Sequence, residues 1–178
     1  MHFDLKPISV ESIPEAFAKV ERYRLLNEPG LAESICMDIL EVVPDHQQAL
    51  ISLLLARTDQ FGSEMNASKA REVLPRIKGD YERAYYAGII SERNGHAYLR
   101  HGGPNSASAA YHALREAMEH YERAEALRPP GNDEAILRWN TCARIIMRNP
   151  EIRPRPQDEF QPITGELVRS APPRVPVA

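Results

Sequence analysis

Apolar residues recur at steps of three and four along most of the first 148 residues, which is the spacing of one helical face. The pattern predicts seven helices, separated by short polar stretches that contain glycine or proline. The predicted helices cover residues 12–26, 30–42, a third helix from 47, then 66–78, 80–100, 106–128 and a seventh from near 131. The fold class that follows is all-α.

Two of the predicted helices differ from the amphipathic norm. The third is apolar over most of its surface between residues 50 and 55, so we expect it to lie at the centre with cover on both sides. The fourth contains Pro75, which has no backbone N–H and clashes with the preceding turn. We therefore expect the fourth helix to kink or to end early.

The composition changes after Pro150, where prolines become frequent and large apolar residues become rare. Such a stretch buries too little apolar surface to fold by itself. The sequence thus predicts a lead-in at residues 1–11, a helical domain at 12–148 and a disordered or extended tail at 149–178. The tail carries four apolar anchors, which could dock on this chain or on a partner, or have no binding role: Phe160, Ile163, Leu167 and Val168.

The most distinctive local motif lies near the end of the sixth predicted helix. Small Ala117, large Tyr121 and small Ala124 share one face, and Pro129 ends the helix. Similar spacings occur twice more, once with a following proline and once without: Ala32, Cys36, Ile39 and Pro44, then Ala70, Leu74 and Ile77. Small residues let a neighbouring helix approach closely, and the large residue fills the gap beside them.

This motif resembles the second helix of a tetratricopeptide repeat (TPR) unit, and the chain is similar to a divergent, bacterial-type member of that family over about residues 12–148. The resemblance implies a TPR-like α–α superhelix of about three helical hairpins, closed by the seventh helix as a C-terminal cap. The marker alanines stand 38 residues apart from Ala32 to Ala70 and 47 apart from Ala70 to Ala117. Longer helices and loops would absorb the excess over the family period. The alternative is a non-repeating helical bundle.

The resemblance also implies a function, because the family binds partner segments in a concave groove lined by the first helix of each hairpin. Transferred by register, the groove positions are Phe17, Glu21, Ile51, Leu55, Tyr85, Ile89, Ile136 and Asn140. A groove of this composition would be apolar with a few polar handles, which suits an amphipathic helix or an extended peptide. The alternative is that these apolar residues pack against neighbouring helices, above all Leu55 and Ile89. Some family members clamp a peptide carboxylate, but Phe17 and Glu21 occupy positions where that clamp needs a lysine and an asparagine.

Charge and hydropathy narrow the kinds of partner. Basic and acidic residues nearly balance, with a formal net charge of −3, which argues against nucleic acid. The sequence has no apolar run long enough to span a membrane, and its N-terminus does not resemble a signal peptide. Cys36 and Cys142 lie within helical patterns, which favours free buried thiols and a cytoplasmic location over a disulfide.

The sequence offers no catalytic, cofactor or metal motif. No two of His96, His101, His112 and His120 stand four residues apart, as a helical zinc site requires. We therefore expect a protein–protein adaptor without catalysis, cofactor or metal. Two alternatives remain open. One is an effector-sensing domain with a small-molecule pocket around Tyr85, Tyr86, His112 and Trp139. The other is a structural repeat protein that assembles with itself, for example as a homodimer.

Overall fold

The computed structural model describes residues 3–62 and 67–154, and within these ranges the chain is all-helical. Its helices are α1 (Ile13–Leu25), α2 (Pro29–Val42), α3 (Gln47–Asp59), α4 (Ala67–Arg71), α5 (Asp80–His101), α6 (Ser106–Leu127) and α7 (Glu134–Arg148). A short 3-10 turn at Val10–Ser12 precedes α1, and a second one at Leu74–Arg76 follows α4. No β-strand occurs in the described ranges, so the all-α prediction is confirmed.

Each helix packs mainly on its neighbours along the chain, and α3 also contacts both α1 and α5. Helices α5 and α6 run antiparallel, because Gly88 faces Tyr121 and Gly95 faces Leu114. Helices α6 and α7 also run antiparallel, since Trp139 reaches back to Glu122 while Arg128 pairs with Asp133 at the connecting loop. The odd-numbered helices therefore share one side of the molecule.

Two hydrophobic clusters form the interior, and α5 contributes to both. The first cluster belongs to α1 through α4 and includes Ile90 and Ala97 of α5. The second belongs to α5, α6 and α7 and includes Ile89. Leu55 of α3 and Tyr86 of α5 pack against both clusters. Helix α5 is thus the element that joins the two halves of the core, and α3 is covered on both sides, as its sequence predicts.

The three motifs that carry the family resemblance lie in the interior. In α6, Ala117, Tyr121 and Ala124 are almost fully buried. The corresponding residues of α2 are fully buried, and in the third motif Ala70 and Ile77 are buried while Leu74 is half-buried. These residues therefore serve close packing, as the motif predicts.

The fourth predicted helix is much shorter than the 66–78 expected from its pattern. Helix α4 ends at Arg71, and the chain continues through a 3-10 turn at Leu74–Arg76. Pro75 sits in the first positions of that turn, where its missing N–H leaves no helical hydrogen bond unmade. The early end that Pro75 predicted is what the structure shows.

The packed part of the chain continues past the end of α7. Ile152 is only 3% exposed and belongs to the second cluster. The backbone N–H of Ile152 donates to the carbonyl of Asn149, which turns the chain after the helix. The predicted tail begins at 149, but its first residues up to Ile152 are held against the body. The four apolar anchors of the tail lie outside the described residues.

Candidate partner-binding cleft

The eight residues predicted to line an apolar groove lie on the odd-numbered helices, but most of the apolar ones serve the core. Phe17 of α1 and Ile51 and Leu55 of α3 are half-buried and pack against the first cluster. The Phe17 ring also lies 6.0 Å from the ring of His46. These side chains offer a partner only part of their surface.

The predicted groove residues of α5 and α7 show the same tendency. Ile89 is 2% exposed and lies in the second cluster, so its side chain is not accessible to a partner. Tyr85 is half-buried, with its ring centroid 5.9 Å from that of Tyr121. Ile136 and Asn140 are half-buried, whereas Glu21 on α1 is exposed. Packing of Leu55 and Ile89, which sequence reasoning left as the alternative, is therefore what the structure shows for these two residues.

The side that α1, α3 and α5 share carries a polar cleft of about 290 Å³. We call it the arginine cleft, and its lining residues are Arg24, Asn27, Thr58, Asp59, Arg93, His96 and Arg100. Three guanidinium groups thus surround one carboxylate. Because α1 and α3 end here, their exposed carbonyl groups add negative partial charge that the arginines also offset.

Asp59 joins the three helices at the floor of the cleft. Its Oδ2 accepts a hydrogen bond of 3.0 Å from Nε of Arg24, and its Oδ1 accepts another from Arg93. Arg93 also donates to the hydroxyl of Thr58 at 2.7 Å and to the carbonyl of Leu55 at 3.3 Å. Arg93 therefore closes the C-terminal end of α3 while Asp59 holds α1 and α5 to it.

Crowding of positive charge is visible in the protonation equilibrium of Arg93. Burial of the guanidinium lowers its pKa, Asp59 acts against this, and the charges of Arg24 and Arg138 lower the pKa further. The net result is a pKa below the ordinary value for arginine. An anion entering the cleft would relieve this repulsion, so the electrostatics favour a carboxylate or another anionic group.

Arg100 and Asn27 are the side chains in the cleft left over for a ligand. Within the described residues, neither side chain makes a recorded hydrogen bond or ion pair, and both are exposed. His96 is half-buried, and its Nε2 lies 3.8 Å from Oε1 of Glu92. A carboxylate bound by Arg100 would therefore add a partner without breaking an existing one.

Glu92 forms a second polar centre beside the cleft. Glu92 is 3% exposed. Its carboxylate accepts a hydrogen bond of 2.6 Å from the hydroxyl of Tyr121 in α6 and another of 3.1 Å from Nη1 of Arg138 in α7. Burial by itself raises the pKa of Glu92, but the neighbouring His96, the hydrogen bond from Tyr121 and the charge of Arg138 lower it below its usual value. Glu92 is therefore an ionised structural link between α5, α6 and α7.

Of the four residues proposed for a small-molecule pocket, Tyr85, Tyr86 and Trp139 pack against the second cluster, but His112 lies apart from them. Trp139 donates from Nε1 to Glu122 of α6, and Tyr86 packs against the two core clusters. His112 is exposed on α6, nine residues from Tyr121, which is about 13 Å along a helix. Since Tyr85 contacts Tyr121, His112 lies too far along α6 to share a small pocket with Tyr85.

Metal and membrane features are likewise not found in the part of the chain that the structure describes. Residues 3–62 and 67–154 contain no group of three or more histidine, cysteine or acidic side chains placed to hold a metal ion. None of the described helices combines the length and apolar character needed to cross a bilayer. Both cysteines are free and buried, one in α2 and one in α7.

Comparison with known protein families, curated proteins and solved structures finds no match for this chain. The description of the fold and of the candidate site therefore comes from the contacts of this chain alone. Sequence reasoning missed the arginine cleft because Arg24, Asp59 and Arg93 lie far apart in the chain and share no local motif. One local signal was present: Arg93, His96 and Arg100 recur at helical spacing and so share one face of α5.

Proposed function

We propose that this chain is a TPR-type adaptor, without catalysis of its own, that binds a partner segment through the arginine cleft. The observation that carries the proposal is the excess of positive charge in a recess formed by three odd-numbered helices. The partner segment would carry carboxylates, which arginine binds well through its planar fork of donors. The apolar residues first assigned to the groove would support the cleft by packing, and the two buried free thiols suit a cytoplasmic location.

The proposal is tested by selecting peptides from a random displayed library with the full chain as bait. We expect the enriched peptides to contain paired Asp or Glu residues, and we expect their affinity to fall as salt rises. Arg100→Glu places a negative charge where the carboxylate would sit, so affinity for the selected peptides should drop about tenfold or more, since a charged hydrogen bond contributes about 1.5 kcal/mol or more.

Arg22→Glu is the matched control, because Arg22 is an exposed arginine of α1 that does not line the cleft. It changes the net charge equally and should leave peptide affinity unchanged. Circular dichroism of both variants must show the helix content of the parent chain. Enriched peptides without acidic residues, or equal loss of affinity in both variants, would rule out the arginine cleft as the binding site.

A further inference from the structure

The chain leaves α7 at the level of the arginine cleft along the axis of α5. Gly88 faces Tyr121 and Gly95 faces Leu114, which fixes the alignment of α5 on α6, and Trp139 bonded to Glu122 fixes that of α7 on α6. The two alignments together place α7 relative to α5. Arg148, at the end of α7, is then level with His96 along the axis of α5. Ile152 then holds the following turn against the second cluster.

Glu92 provides a direct link between the cleft and the first half of α7. His96, which lines the cleft, lies 3.8 Å from Oε1 of Glu92, and Arg138 of α7 donates to that same oxygen at 3.1 Å. Arg138 therefore connects α7 to the edge of the cleft, and α7 ends ten residues further along, at Arg148.

The sequence that follows has the charge that the cleft lacks. Residues 157–166 contain Asp158, Glu159 and Glu166 and no basic residue. Asp158 stands four residues beyond Pro154, and four extended residues span about 13 Å. This length exceeds the diameter of one helix, which is about 10 Å. Length and charge thus both permit these residues to enter the cleft of their own chain.

We propose that residues 157–166, which lie outside the described residues, dock in the arginine cleft and compete there with the partner segment. Asp158 and Glu159 would pair with Arg100 and with the accessible edges of Arg24 and Arg93. A short tether gives an effective concentration of the order of millimolar, so even a weak contact is populated. The competition rests on the proposed function, whereas the contact itself can be measured without any partner.

The contact is tested in the full chain by attaching a nitroxide spin label to Gln161→Cys and recording amide NMR signals. Cys36 and Cys142 are fully buried, and burial raises the pKa of both thiols to about 12, so a brief reaction labels the new thiol well before either native one. We expect loss of signal intensity at Asn27, His96 and Arg100, compared with the same chain carrying a reduced, diamagnetic label.

Charge reversal separates specific docking from chance proximity. Asp158→Lys with Glu159→Lys should restore the cleft signals, and adding Arg100→Glu to that chain should remove them again. Unchanged cleft signals in the first labelled chain would overturn the proposal, as would signal loss that ignores the charge changes. If labelled chains broaden the cleft signals of separate unlabelled chains just as strongly, a second copy occupies the cleft and the intramolecular proposal fails.

Failure of this inference and failure of the proposed function give different results. If selected acidic peptides bind through Arg100 but the labelled tail leaves the cleft signals unchanged, only the inference is wrong. If the tail docks and no external peptide depends on Arg100, only the proposed function is wrong. When both hold, Asp158→Asn with Glu159→Gln should tighten the binding of selected peptides, because it removes the competitor.

Discussion

Among single residues, Glu92 makes the highest chemical demand, because its carboxylate is ionised although the residue is only 3% exposed. A buried carboxylate is costly unless it is paired and hydrogen-bonded, and Glu92 meets both conditions through partners on α6 and α7. Tyr121 is tied to it in turn, since burial and the neighbouring negative charge raise the pKa of its hydroxyl and keep it a hydrogen-bond donor. Together with Arg138, the pair therefore links α7 to α5 and α6.

The charge on Glu92 should make stability depend on pH in a defined window. Its pKa in the folded chain lies below the ordinary value of 4.5, so the unfolded chain binds protons more readily. The resulting stabilisation is fully present above about pH 4.5 and is lost as the pH falls toward the folded pKa. Glu92→Gln has no charge to lose, so it should cost about 2 kcal/mol near neutral pH and progressively less below pH 4.5.

Urea denaturation from pH 3 to pH 7 measures this difference. Glu125→Gln is the matched control, because Glu125 is exposed on the same helix as Tyr121 and should leave stability nearly unchanged. A cost for Glu92→Gln that is constant over the whole range would show that the loss comes from packing and not from the ionised carboxylate.

Between elements, α5 and α6 approach each other closely at Gly88. A Cβ atom added to Gly88 would lie 2.4 Å from Cε1 of Tyr121, whose ring is buried and held by Glu92. Gly88→Ala should therefore destabilise the fold by about 1–3 kcal/mol, even though alanine is the better helix former. The free energy of unfolding in urea gives the value.

Gly30 supplies the comparison for Gly88. It lies in α2, and a Cβ there would meet only Oε1 of Gln60, at an ordinary contact distance of 3.9 Å. Gly30→Ala should therefore be neutral or stabilising by up to about 1 kcal/mol. Equal effects of the two changes would mean that helix propensity decides both, and that the contact of α5 with Tyr121 has little energetic weight.

The positions of the helices could be predicted from sequence, whereas the character of the cleft could not. Apolar periodicity and breakers such as Pro75 act over a few residues, so they predict the bounds of most helices, although α4 ends at Arg71 and not near residue 78. Whether Ile89 faces a partner or the core depends on the angle between helices that are distant in sequence. The arginine cleft arises in the same way, because Asp59 meets Arg24 and Arg93 only after three helices have packed.

At the scale of the whole molecule, the two core clusters divide the chain at α5. Helices α1 to α4 pack on one side and α6 with α7 on the other, while Ile90 and Ile89 of α5 serve one cluster each. The two halves differ in how many helices pack on each member. Helix α2 packs against both α1 and α3, whereas α7 packs mainly on α6. We therefore expect local opening to be easier at the C-terminal end.

The native thiols allow each half to be followed separately. Cys36 lies in α2 and the first cluster, and Cys142 lies in α7 and the second. Both are fully buried with a pKa raised to about 12 by burial, so neither reacts until its surroundings open. We predict that Cys142 is modified faster than Cys36 under native conditions, because opening of α7 exposes it without disturbing α1 to α4.

Brief exposure to iodoacetamide followed by mass spectrometry of the peptides measures both rates in one sample. Reaction in strong denaturant, where both cysteines are exposed, provides the reference for their intrinsic reactivity. Glu92→Gln, which removes the link between α5 and α7, should accelerate Cys142 more than Cys36. Equal native rates for the two cysteines would instead mean that the chain opens only as a whole, and that α5 couples the two clusters too strongly for either end to open alone.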